Sequence, residues 1–145
     1  MKHLPIPFEQ KATISIKQGG TLIVKFEAEL ATSPIEQFQA LLYRTELKEN
    51  SGVAFILENP AIPAYVNTKV PFEVDTIQFD EKGEITHLGT LQPSKSPGTF
   101  ITAFQTKHLL MLPSGFNKKH KLISLNDSKN KEHKHFTLKI KSYGN

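Results

Sequence analysis

Neither cysteine nor tryptophan occurs in this sequence. Without cysteine there are no disulfides and no thiolate metal sites, and the redox poise of the compartment places no demand on folding. Long apolar runs are also missing. No stretch approaches the roughly 18 residues that a membrane-crossing helix requires. The first ten residues, MKHLPIPFEQ, hold one lysine and no hydrophobic segment, so no signal peptide is visible. The compartment stays open: periplasmic or membrane-anchored if an upstream signal has been removed, cytoplasmic otherwise. There is no arginine cluster and no G-x-S-x-G context around any serine. Ser114, in Pro-Ser-Gly, is therefore not read as a nucleophile elbow.

What is present is ordinary for a globular chain. Apolar residues make up 38% and charged residues 22%, which argues against disorder. The 145 residues are about one domain's length, so a single domain spanning residues 1–145 is expected. The net charge of +4 is unevenly spread. Residues 117–145 hold eight Lys against Asp127 and Glu132, while the preceding residues carry a slight acidic excess. A basic tail can mark a nucleic-acid partner. Here, however, the lysines alternate with apolar residues, as in KIKSY, the pattern of solvated strand faces. Nucleic acid is accordingly not the expected partner.

Period-two alternation dominates the chain. Ala12, Ile14 and Ile16 share one face, Gly19-Gly20 turns, and Leu22, Val24, Phe26, Ala28 and Leu30 share a face again, predicting a β-hairpin. One helix follows, over about residues 34–45. Ser33 caps it, Pro34 suits its first position, and Glu36 completes a capping box. Val53 to Leu57 is a continuous apolar run, predicting a strand buried on both faces. Pro71 marks a strand start or an edge. A change of face after Phe72 and Val74 suggests a bulge near Asp75-Thr76. Asp80 to Gly83 turns into a return strand, Glu84 to Leu91. Further strands are expected at Thr99–Phe104, Lys107–Leu112, Lys121–Leu125 and His135–Ile140. Many short strands and one helix predict an all-β sandwich or barrel.

Three blocks, in order, resemble the bacterial and archaeal family called domain of unknown function 192. ATSPIEQFQALLYRTEL with GVAFIL places Thr32, Arg44, Gly52 and Phe55 on the family pattern. Pro71 with an acid after it, and FDEKGEI, resemble its Pro-Leu-Asp strand and Asp-x-x-Gly-x-Ile turn. HLLMLPSGF resembles its Leu-Glu-Leu-Pro-Ala-Gly block through Leu110, Leu112, Pro113 and Gly115. The likeness covers roughly residues 22–125. It implies a jelly-roll-like β-sandwich, often secreted or lipid-anchored, and no established activity. The signature Phe-Trp-Met-Lys-Asn-Thr departs to Pro-Ala-Tyr-Val-Asn-Thr. It keeps Asn67 and Thr68, while Ala64, Tyr65 and Val66 replace the aromatic, sulfur and cationic positions. Either Glu73 or Asp75 matches the family's acid.

The expected ligand-binding set is Arg44, Asn67, Thr68, Glu73 and Asp75, in which an acid and an arginine orient a small polar ligand. The plainer reading beside it is structural: Asn and Thr satisfy loop backbone groups, and Arg44 ties the helix to the sheet. His133 and His135 would face one side of a strand, as metal ligands sometimes do. No third ligand follows at telling spacing, so neither a metal nor a cofactor is expected, and no catalytic residue is assigned. The function expected is a non-enzymatic small-ligand-binding or accessory module of the cell envelope. A hydrolase acting on a small or saccharide substrate, and a structural or interaction protein, are the alternatives.

Overall fold

The computed structural model describes residues 10–42, 44–59, 65–93, 98–102, 105–122 and 136–143. The first two strands, β1 (Lys11–Gln18) and β2 (Thr21–Ala31), form the expected antiparallel hairpin. Gly19 and Gly20 turn it at φ of 56° and 87°, a region that favours glycine. Helix α1 (Pro34–Gln39) then crosses to β3 (Ser51–Ile56), which lies parallel to β2. The next strands are β4 (Tyr65–Thr68), β5 (Val74–Phe79), β6 (Ile85–Leu91), β7 (Gly98–Ile101) and β8 (His108–Pro113). A short helix α2 (Phe116–Lys119) and strand β9 (Phe136–Tyr143) complete the order.

Seven strands form one sheet in the order β6-β5-β8-β3-β2-β1-β9, and β4 pairs with β7 in a separate two-stranded sheet. The large sheet curls until its ends meet. Glu84 bridges to Thr137, and the Leu138 N–H donates to the Gly83 carbonyl at 2.6 Å. The barrel alternative to a sandwich is therefore realised, with an added layer. Its interior holds Ile14, Ile16, Phe26, Leu30, Ile77, Phe79, Ile85, Leu110, Leu112 and Phe136. A second core lies on the outer face of β3 and β8, where Val53, Phe55, Leu109 and Met111 pack with Leu41, Leu47 and, from β4, Val66.

Alternation within β3 explains its continuous apolar run. Ala54 packs in the barrel core while Val53 and Phe55 pack in the outer one. Gly52 is required by crowding, because a Cβ there would meet Leu112 Cδ2 at 2.8 Å and the Met111 carbonyl at 2.9 Å. All six residues of β5 are buried. Ile77 and Phe79 point into the barrel core, and Val74 belongs to the outer one.

Several expectations are corrected. Helix α1 stops at Gln39 rather than near residue 45, and looser turns continue to Arg44 through bonds such as Arg44 N–H to the Leu41 carbonyl. The bulge falls between Gln78 and Phe79, not near Asp75-Thr76. Pro71 lies outside any strand, and β5 begins only at Val74. Strand β4 and helix α2 were not anticipated. Lys121, at φ of 54°, and Leu122 are not in a strand. The rest of that expected strand, like His133 and His135, lies outside the described residues.

The seam makes a test. Gly83 has φ of +83°, and a Cβ added there would sit 2.8 Å from the Leu138 carbonyl oxygen. Backbone strain and overpacking each cost about 1–3 kcal/mol. Gly83→Ala should lose about 2–3 kcal/mol in chemical denaturation, and a loss below about 0.5 kcal/mol would contradict closure at this point.

His108 offers a second. Its Nδ1 is buried with no hydrogen-bond partner among the described residues, and burial, with Lys107 repulsion second, lowers its pKa to about 4. The unfolded chain therefore binds this proton first, near 6.5. Stability from this group is intact above about 6.5 and declines as pH falls toward about 4. His108→Gln should flatten the upper part of that decline in pH-dependent denaturation. An unchanged slope would remove His108 as its source.

Candidate functional site

Of the five residues expected to form one site, Glu73 and Asp75 bond to the same segment, whereas Arg44 pairs with a different strand. Arg44 forms an ion pair with Glu29 of β2 and donates its Nε to the Ala40 carbonyl at 3.0 Å. It therefore ties the end of the α1 segment to the sheet, as the plainer reading supposed. Asn67 lies in β4 opposite Thr99. Thr68, next to it, is 2% exposed, and its Oγ1 finds no partner among the described residues.

Glu73 and Asp75 do converge, on the segment that follows β8. Asp75 is buried. Its Oδ1 accepts from Thr90 Oγ1 at 3.1 Å, and its Oδ2 accepts from the Asn117 backbone N–H at 2.9 Å. The reason is local. Helix α2 begins at Gly115, which has φ of 86° and no side chain to cap with. Asp75 supplies the missing acceptor from a neighbouring strand. Asn117 Nδ2 adds donations to the Thr76 and Gly89 carbonyls at 3.2 and 3.3 Å. Glu73 is exposed and accepts from Ser114 Oγ at 2.5 Å and Gln92 Nε2 at 2.7 Å. These bonds, Ser114's first, hold its carboxyl below the usual range.

Ser114 belongs to the wall of a recess of about 250 Å³, also lined by Glu49, Asn50, Pro113, Gly115, Phe116, Lys119 and His120. Phe116 is anchored in the barrel core, edge-on to Phe26 with ring centroids 5.5 Å apart. The His120 ring rests against Phe116 at 4.4 Å between centroids. Burial, then Lys119, keeps His120 below its ordinary pKa. Glu49 and Lys119 form an exposed ion pair, and Lys119 lowers the Glu49 pKa. Asn50 enters β3 in a left-handed conformation, φ 63°. The recess thus combines an aromatic base, a hydroxyl fixed by a carboxylate and an exchangeable ion pair. Such a set suits a small ligand bearing hydroxyl and carboxyl groups.

Sequence reasoning missed Glu49, Asn50, Phe116, Lys119 and His120. The first two precede β3 and the last three follow β8, and no local pattern joins segments so far apart. Gly115 was the one available signal, as a positive-φ turn ahead of a basic stretch.

The curled sheet with its covering layer and the α2 segment held by Asp75 define a class of small β-barrel proteins. The family model of domain of unknown function 192, described as an uncharacterized ACR, matches residues 14–125, and the chain belongs to that family. A crystal structure from Sinorhizobium meliloti 1021, provisionally described as a transcription regulator, superposes with a TM-score of 0.68 at 17% identity. The match covers 93% of this chain and 96% of that one. A protein of unknown function from Novosphingobium aromaticivorans DSM 12444 gives a TM-score of 0.65 at 17% identity, over 88% and 83% of the two chains. At these identities the likeness concerns the fold. No curated protein matches the chain.

Removing the Asp75 carboxylate leaves the Asn117 N–H and the Thr90 hydroxyl without their acceptor, at about 1–3 kcal/mol. Asp75→Ala should lose that amount in urea denaturation, whereas Glu73→Gln, at an exposed position, should change stability by less than about 0.5 kcal/mol. Equal costs for the two would contradict the capping role.

Proposed function

We propose that this chain is a single-domain, non-enzymatic binding module for a small polar ligand, seated in the recess beside α2. One observation carries the reading: Ser114 Oγ, inside the recess, is oriented by Glu73 and lies among Asn50, Lys119 and the Phe116–His120 ring pair. Lys119 can exchange Glu49 for a ligand carboxylate, and Ser114 and Asn50 can meet hydroxyls. Of the residues expected from the sequence, Glu73 and Asp75 take part, the first by fixing Ser114 and the second by fixing the α2 segment. Arg44, Asn67 and Thr68 are assigned no ligand contact in this reading.

The hydrolase alternative is weaker on chemical grounds. A general base works best with a pKa near the operating pH. Glu73, which accepts the Ser114 hydrogen bond, is shifted the other way.

The test is thermal shift with small hydroxy acids, sugars and amino acids. A ligand at 100 times its Kd stabilises by about 2.7 kcal/mol, a shift of several degrees. Ser114→Ala and Lys119→Ala should each reduce the shift while leaving the unliganded Tm within about 2 °C, since both positions are exposed. No shift with any of these classes, or a shift that survives both substitutions, would overturn the proposal.

A further inference from the structure

The outer face of β2, β1 and β9 carries a second concavity, of about 660 Å³, which shares no residue with the recess. Its floor is made by the short hydroxyl side chains Thr13 and Ser15 of β1. Its rim is made by Lys17, Lys25, Lys139 and Lys141, with Gly20 and the exposed Leu22 lining the end beside Lys17. The register explains the convergence. Ser15 stands between Lys25 of β2 and Lys139 of β9, and Thr13 stands beside Lys141. Taken one strand at a time, these lysines look like solvated positions. Side by side, they form a trough with one sign of charge.

None of the four lysines has an ion pair or a side-chain hydrogen bond among the described residues. The acids nearest in register are Glu27, opposite Thr13, and Glu84, opposite Thr137 across the seam. Like charges held this close repel one another in the free protein, and a polyanion relieves that repulsion while releasing its own counterions. We propose that this trough binds the sugar–phosphate backbone of single-stranded nucleic acid without regard to sequence.

Three features select this occupant. Neighbouring strands lie about 4.8 Å apart, so Lys25 and Lys139 stand roughly 10 Å from each other, room for one backbone rather than a duplex. Lysine ammonium and Ser/Thr hydroxyl groups are common donors to phosphate oxygens. The described lining offers ammonium and hydroxyl donors, which suit phosphate and sugar oxygens, and such contacts carry no sequence information. A flat anionic bilayer would touch the lysine rim but not the recessed hydroxyls.

Fluorescence anisotropy with a labelled single-stranded oligonucleotide of about 20 residues tests the proposal, with salt varied from 50 to 200 mM, a range over which such contacts weaken measurably. Each phosphate neutralised on a single strand contributes about −0.7 to the slope of log K against log salt, so four contacts give about −3. Lys25→Glu with Lys139→Glu should weaken binding more than about tenfold and bring the slope to about −1.5. Lys25→Gln with Lys139→Gln, gentler on strand pairing, should show the same change in slope with a wild-type circular dichroism spectrum. Lys119→Ala, in the recess, should leave binding as it is. The proposal fails if the oligonucleotide does not bind at 50 mM salt, or if neither double substitution alters the slope. It also fails if duplex of the same length, or phosphatidylserine vesicles, bind more tightly than the single strand.

Discussion

The central strands β3 and β8 are apolar on both faces, and the need to cover both faces organises the molecule. Curling the sheet hides one face within the barrel. The other face requires a separate cover, which the segment between α1 and β3 and strand β4 provide through Leu41, Leu47 and Val66. Each of these buried side chains contributes roughly 1.5–3 kcal/mol relative to exposure. No four-residue strand would persist in water without such burial. The covering layer is therefore a consequence of the double-faced sheet.

The same demand shapes the recess beside α2. Phe116 must enter the barrel core, so the chain turns sharply at Gly115 after β8. That turn leaves helix N–H groups without a local acceptor, and Asp75 reaches over from β5 to receive one. What remains at the surface is Ser114, Lys119 and His120, held against the entry to β3. The polar site is thus what the core leaves exposed when it draws in one aromatic ring.

Much of the architecture was legible in the residues. Alternation in β1 and in β2 from Val24 to Leu30, the Gly19-Gly20 turn, the Ser33–Glu36 capping box and the Asp80–Gly83 turn appear as read, but a register shift between Ile16 and Lys17 leaves Leu22 50% exposed rather than on the inward face. The structure adds that Glu36 Oε1 accepts from both the backbone and the hydroxyl of Thr32 as well as of Ser33. The losses share one cause. Arg44 was expected to meet an acid further along the chain, yet its partner, Glu29, lies fifteen residues upstream on β2. Asp75 was read as a ligand group because its role as a cap depends on Asn117, 42 residues away. Local periodicity shows which face a side chain takes. It does not show which strand will lie beside it, and that is why the recess and the lysine trough were both invisible.

Strand β1 pairs with β2 on one side and with β9 on the other, so elements near opposite ends of the sequence are neighbours. During synthesis β2 emerges within moments of β1, while β9 arrives only after every other strand described here. Until then the free edge of β1 offers unpaired N–H and C=O groups to any passing chain. Lys11 and Lys17, projecting from that edge, discourage such encounters by charge. Pairing between remote segments is also slow to find. The nascent barrel consequently spends its most vulnerable interval as an incomplete ring guarded by lysine.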